Sequence, residues 1–238
     1  MKEKKSVSAL VGALPLMERP YIAFILAIIA GMMNGYTYHV SHVFSTVQSG
    51  NIILLGETIA TQDWERLRTI AMTVLAFGLG SMFTMLVEIL INIKSRHTWT
   101  YIILLIEAAI LGVIALGFLN EALTIVQICM VISFIAGMQG NGFHKIKGML
   151  YGNVAVTLVV QLAFNYLMQF IGGQRAALKT AALFFLVLLG FAAGGLIGTL
   201  TTLKYDELSL LLPAGMLVLL AIYTFFMKVE KAEAVDPT

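Results

Sequence analysis

Ser49-Gly50-Asn51, with its echo Gly152-Asn153, decides how this chain reads. Each stretch follows an apolar helix candidate that has just given way to Gly, Asn, His and aromatic residues, and each opens another apolar segment. In a bilayer a broken helix is tolerated only where the freed backbone groups are buried in protein or line a cavity. The two breaks are therefore the first places to look for function.

The bilayer itself follows from composition. Of 238 residues, 59% are hydrophobic and 12% charged, and mean hydropathy is +0.91. A soluble domain is roughly 45–50% apolar and about 25% charged. Cys129 is the single cysteine, which excludes an intramolecular disulfide. There is no Cys/His cluster with metal spacing, no glycine-rich phosphate loop and no nucleophile elbow. No metal, cofactor or catalytic residue is expected, and the chain is not read as an enzyme. A net charge of +2 is too small to argue for nucleic acid.

Outward from the first break, residues 1–19 read as a cytoplasmic arm, with Lys2, Lys4, Lys5 and Arg19 around a short apolar run. Pro15 and the Glu18-Arg19-Pro20 break argue against a signal-peptide cleavage site. Residues 20–119 form a first membrane repeat. Its first span, 21–38, is apolar to Ala30 and then becomes Gly31-Met32-Met33-Asn34-Gly35-Tyr36. Residues 52–60 are apolar but short of the ~20 residues a span needs, so they read as a half-helix or re-entrant segment. Trp64 is a headgroup anchor, and spans follow at 69–93 and 99–119. The pattern restarts over 120–227. Residues 123–136 end in Gly137-Met138-Gln139-Gly140-Asn141, Gly152-Asn153 opens a segment running to residue 171, and spans follow at 181–203 and 208–227. Residues 228–238 are a charged cytoplasmic tail.

The halves match in order: Ala30-Gly31-Met32 with Ala136-Gly137-Met138, Gly50-Asn51 with Gly152-Asn153, and Phe77 and Gly80 with Phe191 and Gly194. If the segments after the breaks do not cross, each half has three spans and the halves are inverted. With the N-terminus inside, the cytoplasmic face then collects Lys2, Lys4, Lys5, Arg19, Lys94, Arg96, Lys145, Lys147, Arg175, Lys179, Lys228 and Lys231, and the outer face keeps Arg66, Arg68 and Lys204, 12 against 3. If both cross, there are eight spans, parallel halves and a count of 10 against 5. The positive-inside rule prefers an all-α polytopic membrane protein with six transmembrane helices, two re-entrant or half-helix segments and two inverted pseudo-repeats. Residues 153–171 are nevertheless long enough to span.

Asn153, Thr157, Gln161, Asn165 and Gln169 recur every four residues, a polar stripe on a helix. In lipid it must face protein or water, as interhelical glue or as pathway lining, so this segment is expected inside the bundle. Glu57, Glu88 and Glu107 are acids within apolar segments. An intramembrane carboxylate is a functional candidate because its charge is costly to bury. Glu57, two turns past Gly50, and Glu107, mid-span, are the proton-coupling candidates, whereas Glu88 is near enough to Lys94 to reach the interface. His39, His42 and His144 flank the breaks, and histidine is a residue type able to relay protons. Gly78, Gly80, Gly190, Gly194, Gly195 and Gly198 make small-residue faces for close helix approach, expected to cross each other. They also offer a surface for a homodimer.

At these residues the chain resembles the YoaK family, bacterial inner-membrane proteins with a domain of unknown function. Gly31, Asn34, Phe44, Ser49-Gly50-Asn51 and Leu55-Gly56 stand in the order of that family's N-terminal signature, and Gly137-Met138-Gln139-Gly140-Asn141 approximates its second. Asn34 replaces the usual Asp and Ser49 the usual Thr. The resemblance implies a polytopic protein of the bacterial plasma membrane and no particular reaction.

The expectation is a small-solute secondary transporter or permease with its site where the two breaks meet near the midplane. Asn34, Ser49, Gly50, Asn51, Gln139, Asn141, Gly152 and Asn153 would bind substrate. Backbone N–H groups at the two segment starts would favour an anion or a carboxylate-bearing solute. The alternative is a non-transporting membrane scaffold whose polar stripe and glycines serve packing and partner binding. The partners are the lipid bilayer and an unidentified small solute.

Overall fold

The computed structural model describes residues 18–90 and 96–227. The expected arm over 1–17, the tail over 228–238 and part of the basic loop at 94–97 lie outside the described residues. Eight α-helices follow in order among them: α1 (Pro20–Ser41), α2 (Gln48–Ala60), α3 (Trp64–Leu90), α4 (Arg96–Ala115), α5 (Ile125–Gly142), α6 (Thr157–Ile171), α7 (Ala177–Tyr205) and α8 (Leu211–Phe226). A hairpin, β1 (Lys145–Ile146) and β2 (Met149–Leu150), separates α5 from α6, and a 3-10 turn (Asp206–Leu210) joins α7 to α8. Helices α1, α3 and α5 and the run Ala177–Phe226 are long and apolar enough to cross a membrane. Leu75, Leu79, Met82 and Ile89 on α3 and Leu189, Leu196 and Leu200 on α7 are exposed. So much outward apolar surface suits lipid rather than water.

Local signals set the helix ends. Pro20 sits at the start of α1, where its missing N–H is no loss. Thr124 and Gln127 form a reciprocal capping box at the start of α5. Helix α1 stops at His42, whose backbone turns left-handed at φ 50°.

Neither α1 nor α5 breaks at its glycine-asparagine patch, contrary to the sequence expectation. Helix α1 runs unbroken through Gly31-Met32-Met33-Asn34-Gly35, and α5 through Gly137-Met138-Gln139-Gly140-Asn141. These glycines admit a second backbone rather than a bend. A Cβ at Gly31 would overlap the Phe191 carbonyl oxygen on α7, and one at Gly137 would overlap that of Phe77 on α3. The partner helices reciprocate, Gly194 against the Ile28 carbonyl and Gly80 against the Phe134 carbonyl. The glycine faces of α3 and α7 therefore do not cross each other: each meets the first helix of the other half of the chain. Close contact of this kind offsets the ~1 kcal/mol that glycine costs in a helix interior.

The contacts also give directions. On α3 and α5 the partners climb together: Thr73 with Ser133, Phe77 with Gly137, Ser81 with Asn141, so these helices are parallel. Phe24, Ile28 and Met32 climb likewise with Gly190, Gly194 and Gly198, so α1 and α7 are parallel. The hairpin after α5 lies at the start of α1, because Glu18 accepts from the Lys147 N–H through its backbone carbonyl and from the Gly148 N–H at 2.6 Å through its carboxylate. The end of α8 lies there too, with Tyr223 Oη 2.8 Å from Tyr21 Oη, and Phe225 packs on Tyr101 near the start of α4. Helices α1, α4 and α7 thus run one way, and α3, α5 and α8 the other. Helix α2 packs on α3, and α6 on α7 through the ring pairs Tyr166–Phe184 and Phe164–Phe185.

Candidate functional site

The two breaks are built differently. After His42 the chain folds back along α1: the Thr46 N–H donates to Asn34 Oδ1 at 3.3 Å, and the Ser45 N–H donates to Thr37 Oγ1 at 3.3 Å. Helix α2 then starts at Gln48, so Ser49-Gly50-Asn51 lies inside its first turn rather than ahead of it. Asn51 is fully buried and its amide holds the loop: Oδ1 accepts from the Phe44 N–H at 3.3 Å, and Nδ2 donates to the Phe44 carbonyl at 2.6 Å and to Gln48 Oε1 at 2.8 Å. Gln48 in turn donates to the Ser45 carbonyl and to Ser133 Oγ on α5. Gly50 accommodates the Phe44 ring, which a Cβ would approach to 3.0 Å. Ser49 is exposed. Thr46 Oγ1 is the one side-chain atom of this loop left buried without a partner among the described residues.

The second break is looser. Lys147 and Gly148, both at positive φ, turn the hairpin, a two-residue connection of the kind that matches strand twist. The chain re-enters at Tyr151, and helix begins only at Thr157, so Gly152-Asn153 lies in irregular backbone ahead of α6. Gly152 is required because a Cβ there would overlap the Ala155 carbonyl oxygen. Asn153 and Gln139 are fully buried and linked, with Asn153 Nδ2 donating to the Gln139 carbonyl at 3.5 Å, and Gln139 Nε2 donating to the Leu26 carbonyl on α1 at 3.0 Å. These donations orient both amides and leave Gln139 Oε1 and Asn153 Oδ1 buried without hydrogen-bond partners among the described residues, as is Tyr151 Oη, which lies beside the Asn153 amide. Asn141, half-buried, donates to the Ser81 carbonyl at 3.1 Å and ties α5 to α3. The start of α6 carries no side-chain cap, a feature it shares with α1, α2, α7 and α8, so its first N–H groups keep their partial positive charge.

The breaks reach the same helix at different heights, the first at Ser133 and the second at Gln139. Glu107 is fully buried on α4, on the face that carries Ile103 and Leu111, and neither oxygen has a partner among the described residues. Glu57 is exposed on α2 and Glu88 half-buried on α3. His39, His42 and His144 are exposed; His144 Nδ1 lies 2.6 Å from the Asn141 carbonyl.

The expectation that the whole α6 stripe lies inside the bundle is corrected. Asn153 is buried and Gln169 half-buried, but Thr157, Gln161 and Asn165 are exposed. The reason is the opposite face, where Val159, Ala163 and Tyr166 pack on α7 and turn the stripe outward.

Both breaks and all the helices between them fall within residues 22–223, which match the sequence model of a family described as protein of unknown function (DUF1275). The chain belongs to that family. No curated protein and no solved structure matches it. Two residues of this DUF1275 chain escaped the sequence expectations. Tyr151, directly before Gly152, joins the second break. Glu18, two residues before the helix-opening Pro20, ties α1 to the hairpin. Their signal was adjacency to residues already singled out.

Proposed function

We propose that this DUF1275 protein is a small-solute secondary transporter of the bacterial plasma membrane, and that its finer kinship is with the YoaK proteins. In this reading α1, α3, α4, α5, α7 and α8 cross the bilayer, α2 and α6 are half-helices entering from opposite faces, and both termini are cytoplasmic. The three-up, three-down helix directions support the count, because parallel halves would set α1 and α5 running the same way. The reciprocal crossings of Gly31 with Phe191 and Gly137 with Phe77 support two inverted pseudo-repeats.

The observation that carries transport is the second break, where Gln139 Oε1, Asn153 Oδ1 and Tyr151 Oη are buried without hydrogen-bond partners among the described residues. A buried polar atom left unpaired costs about 1–3 kcal/mol, so these three await a ligand or water. Two oriented carbonyl oxygens call for hydrogen-bond donors, and the uncapped start of α6 calls for negative charge. The solute class that meets both is a small carboxylate that also bears N–H or O–H groups. Glu107 is the coupling candidate; Glu57, exposed far along α2, is the weaker one. In liposomes, Asn153→Leu and Gln139→Leu should each cut uptake of such solutes at least about tenfold, since each removes an interaction worth about 1.5 kcal/mol or more in a dry site. Unchanged flux in folded protein would remove the second break as the site.

The first break favours the scaffold alternative for its own half, because Asn51 and Gln48 are committed to loop backbone. Topology is checked separately. Glu65→Cys in a Cys129→Ser background should react with an impermeant maleimide from outside the cell. Reaction from the cytoplasm alone would refute the inverted arrangement.

A further inference from the structure

We infer that the outward polar face of α6 is the contact surface between two copies of this chain. Thr157, Gln161 and Asn165 are exposed at successive four-residue steps, with Phe164 and Met168 exposed beside them. Lipid offers these amides no partner. Helix α2 differs in turning Ile52, Ile53 and Ile59 outward, with Glu57 the one exposed polar side chain among them. Of the glycines that could bring two chains together, Gly80, Gly194 and Gly198 already meet backbone inside the chain, whereas Gly78 stands open.

What covers the α6 face is set by its chemistry. It bears no charge, so it asks for no oppositely charged partner. Each Gln or Asn amide carries both an acceptor oxygen and two N–H donors, so the complement of this face is the face itself. Across a two-fold axis Gln161 meets Gln161 and Asn165 meets Asn165 of a second copy, while Phe164 and Met168 close the apolar rim.

The test uses the full chain in membranes, in a Cys129→Ser background. Under mild oxidation Gln161→Cys, or Asn165→Cys where the first folds poorly, should form a disulfide-linked species of twice the monomer mass. Leu79→Cys, exposed on α3, should not. With purified protein in lipid vesicles the same product should form. The combined variant Thr157→Val, Gln161→Leu, Asn165→Leu should weaken dimerisation at least about tenfold by subunit-exchange fluorescence, as expected from loss of interhelical amide bonds. Cross-linking no stronger than that of Leu79→Cys would overturn the inference. So would cross-linking only to a different protein, or free reaction with a water-soluble maleimide without cross-linking, which would make the stripe a water-facing surface.

Discussion

Gly137→Ala should lower the thermal midpoint of the purified protein sharply, although it adds one methyl group to a helix. The new Cβ would overlap the Phe77 carbonyl oxygen, and that atom is backbone of α3, which cannot swing aside as a side chain would. The parallel helices must therefore separate. Four hydrogen bonds depend on their closeness: Ser81 Oγ to the Gly137 carbonyl at 3.1 Å, Thr84 Oγ1 to the Met138 carbonyl at 3.2 Å, Ser133 Oγ to the Thr73 carbonyl at 2.9 Å and Asn141 Nδ2 to the Ser81 carbonyl at 3.1 Å. Overpacking costs roughly 1–3 kcal/mol and each weakened bond about 1 kcal/mol, so a loss of about 3 kcal/mol or more is expected. Gly112→Ala is the contrast. Nothing lies within 4 Å of a Cβ there, so the change should gain up to about 1 kcal/mol from helix propensity alone. Thermal unfolding of both variants in the same lipid nanodiscs decides the matter; equal shifts would mean that the α3–α5 crossing is not held at backbone contact.

Asn51→Leu should destabilise the fold, and Asn153→Leu should not. Removing the Asn51 amide leaves the Phe44 N–H, the Phe44 carbonyl and Gln48 Oε1 without their bonds to it in a partly buried loop. At roughly 1–3 kcal/mol per unsatisfied group, a loss of about 3 kcal/mol or more follows. Among the described residues Asn153 makes one long bond, to a carbonyl that also accepts from the Phe143 N–H, and its own oxygen has no partner. Leucine there deletes a buried polar atom as well as the bond, so the net change should stay within about 1 kcal/mol. Thermal midpoints and yield of folded protein measure both. Wild-type stability in Asn51→Leu would show that the loop from 42 to 47 does not depend on that amide.

These contrasts mark where the sequence was legible. Composition alone implied lipid, because 59% apolar residues cannot be hidden inside 238. The short segment after Gly50 was a local signal, readable without knowing any contact. The glycine patches were located correctly and explained wrongly. Gly31 and Gly137 look like helix breakers on a single chain, and only the Phe191 and Phe77 carbonyls opposite them reveal close packing. The α6 stripe was likewise visible as a period of four. Its outward direction was not, since that depends on which face α7 takes.

By itself, the sequence determined the helical class, the apolar stretches long enough to cross a membrane, the two interruptions and the residue types placed at each. Those properties come from composition and short-range spacing. Tertiary structure alone decided that Asn51 closes a loop while Asn153 leaves an oxygen open, and that α1 and α5 pass through their glycines unbroken. Two asparagines with the same neighbour, glycine, have the same chemistry on paper. Their roles diverge because a hydrogen bond is assigned by the nearest partner in space: the loop at Phe44 and the side chain of Gln48 fold onto Asn51, whereas Asn153 reaches the Gln139 carbonyl with its nitrogen alone.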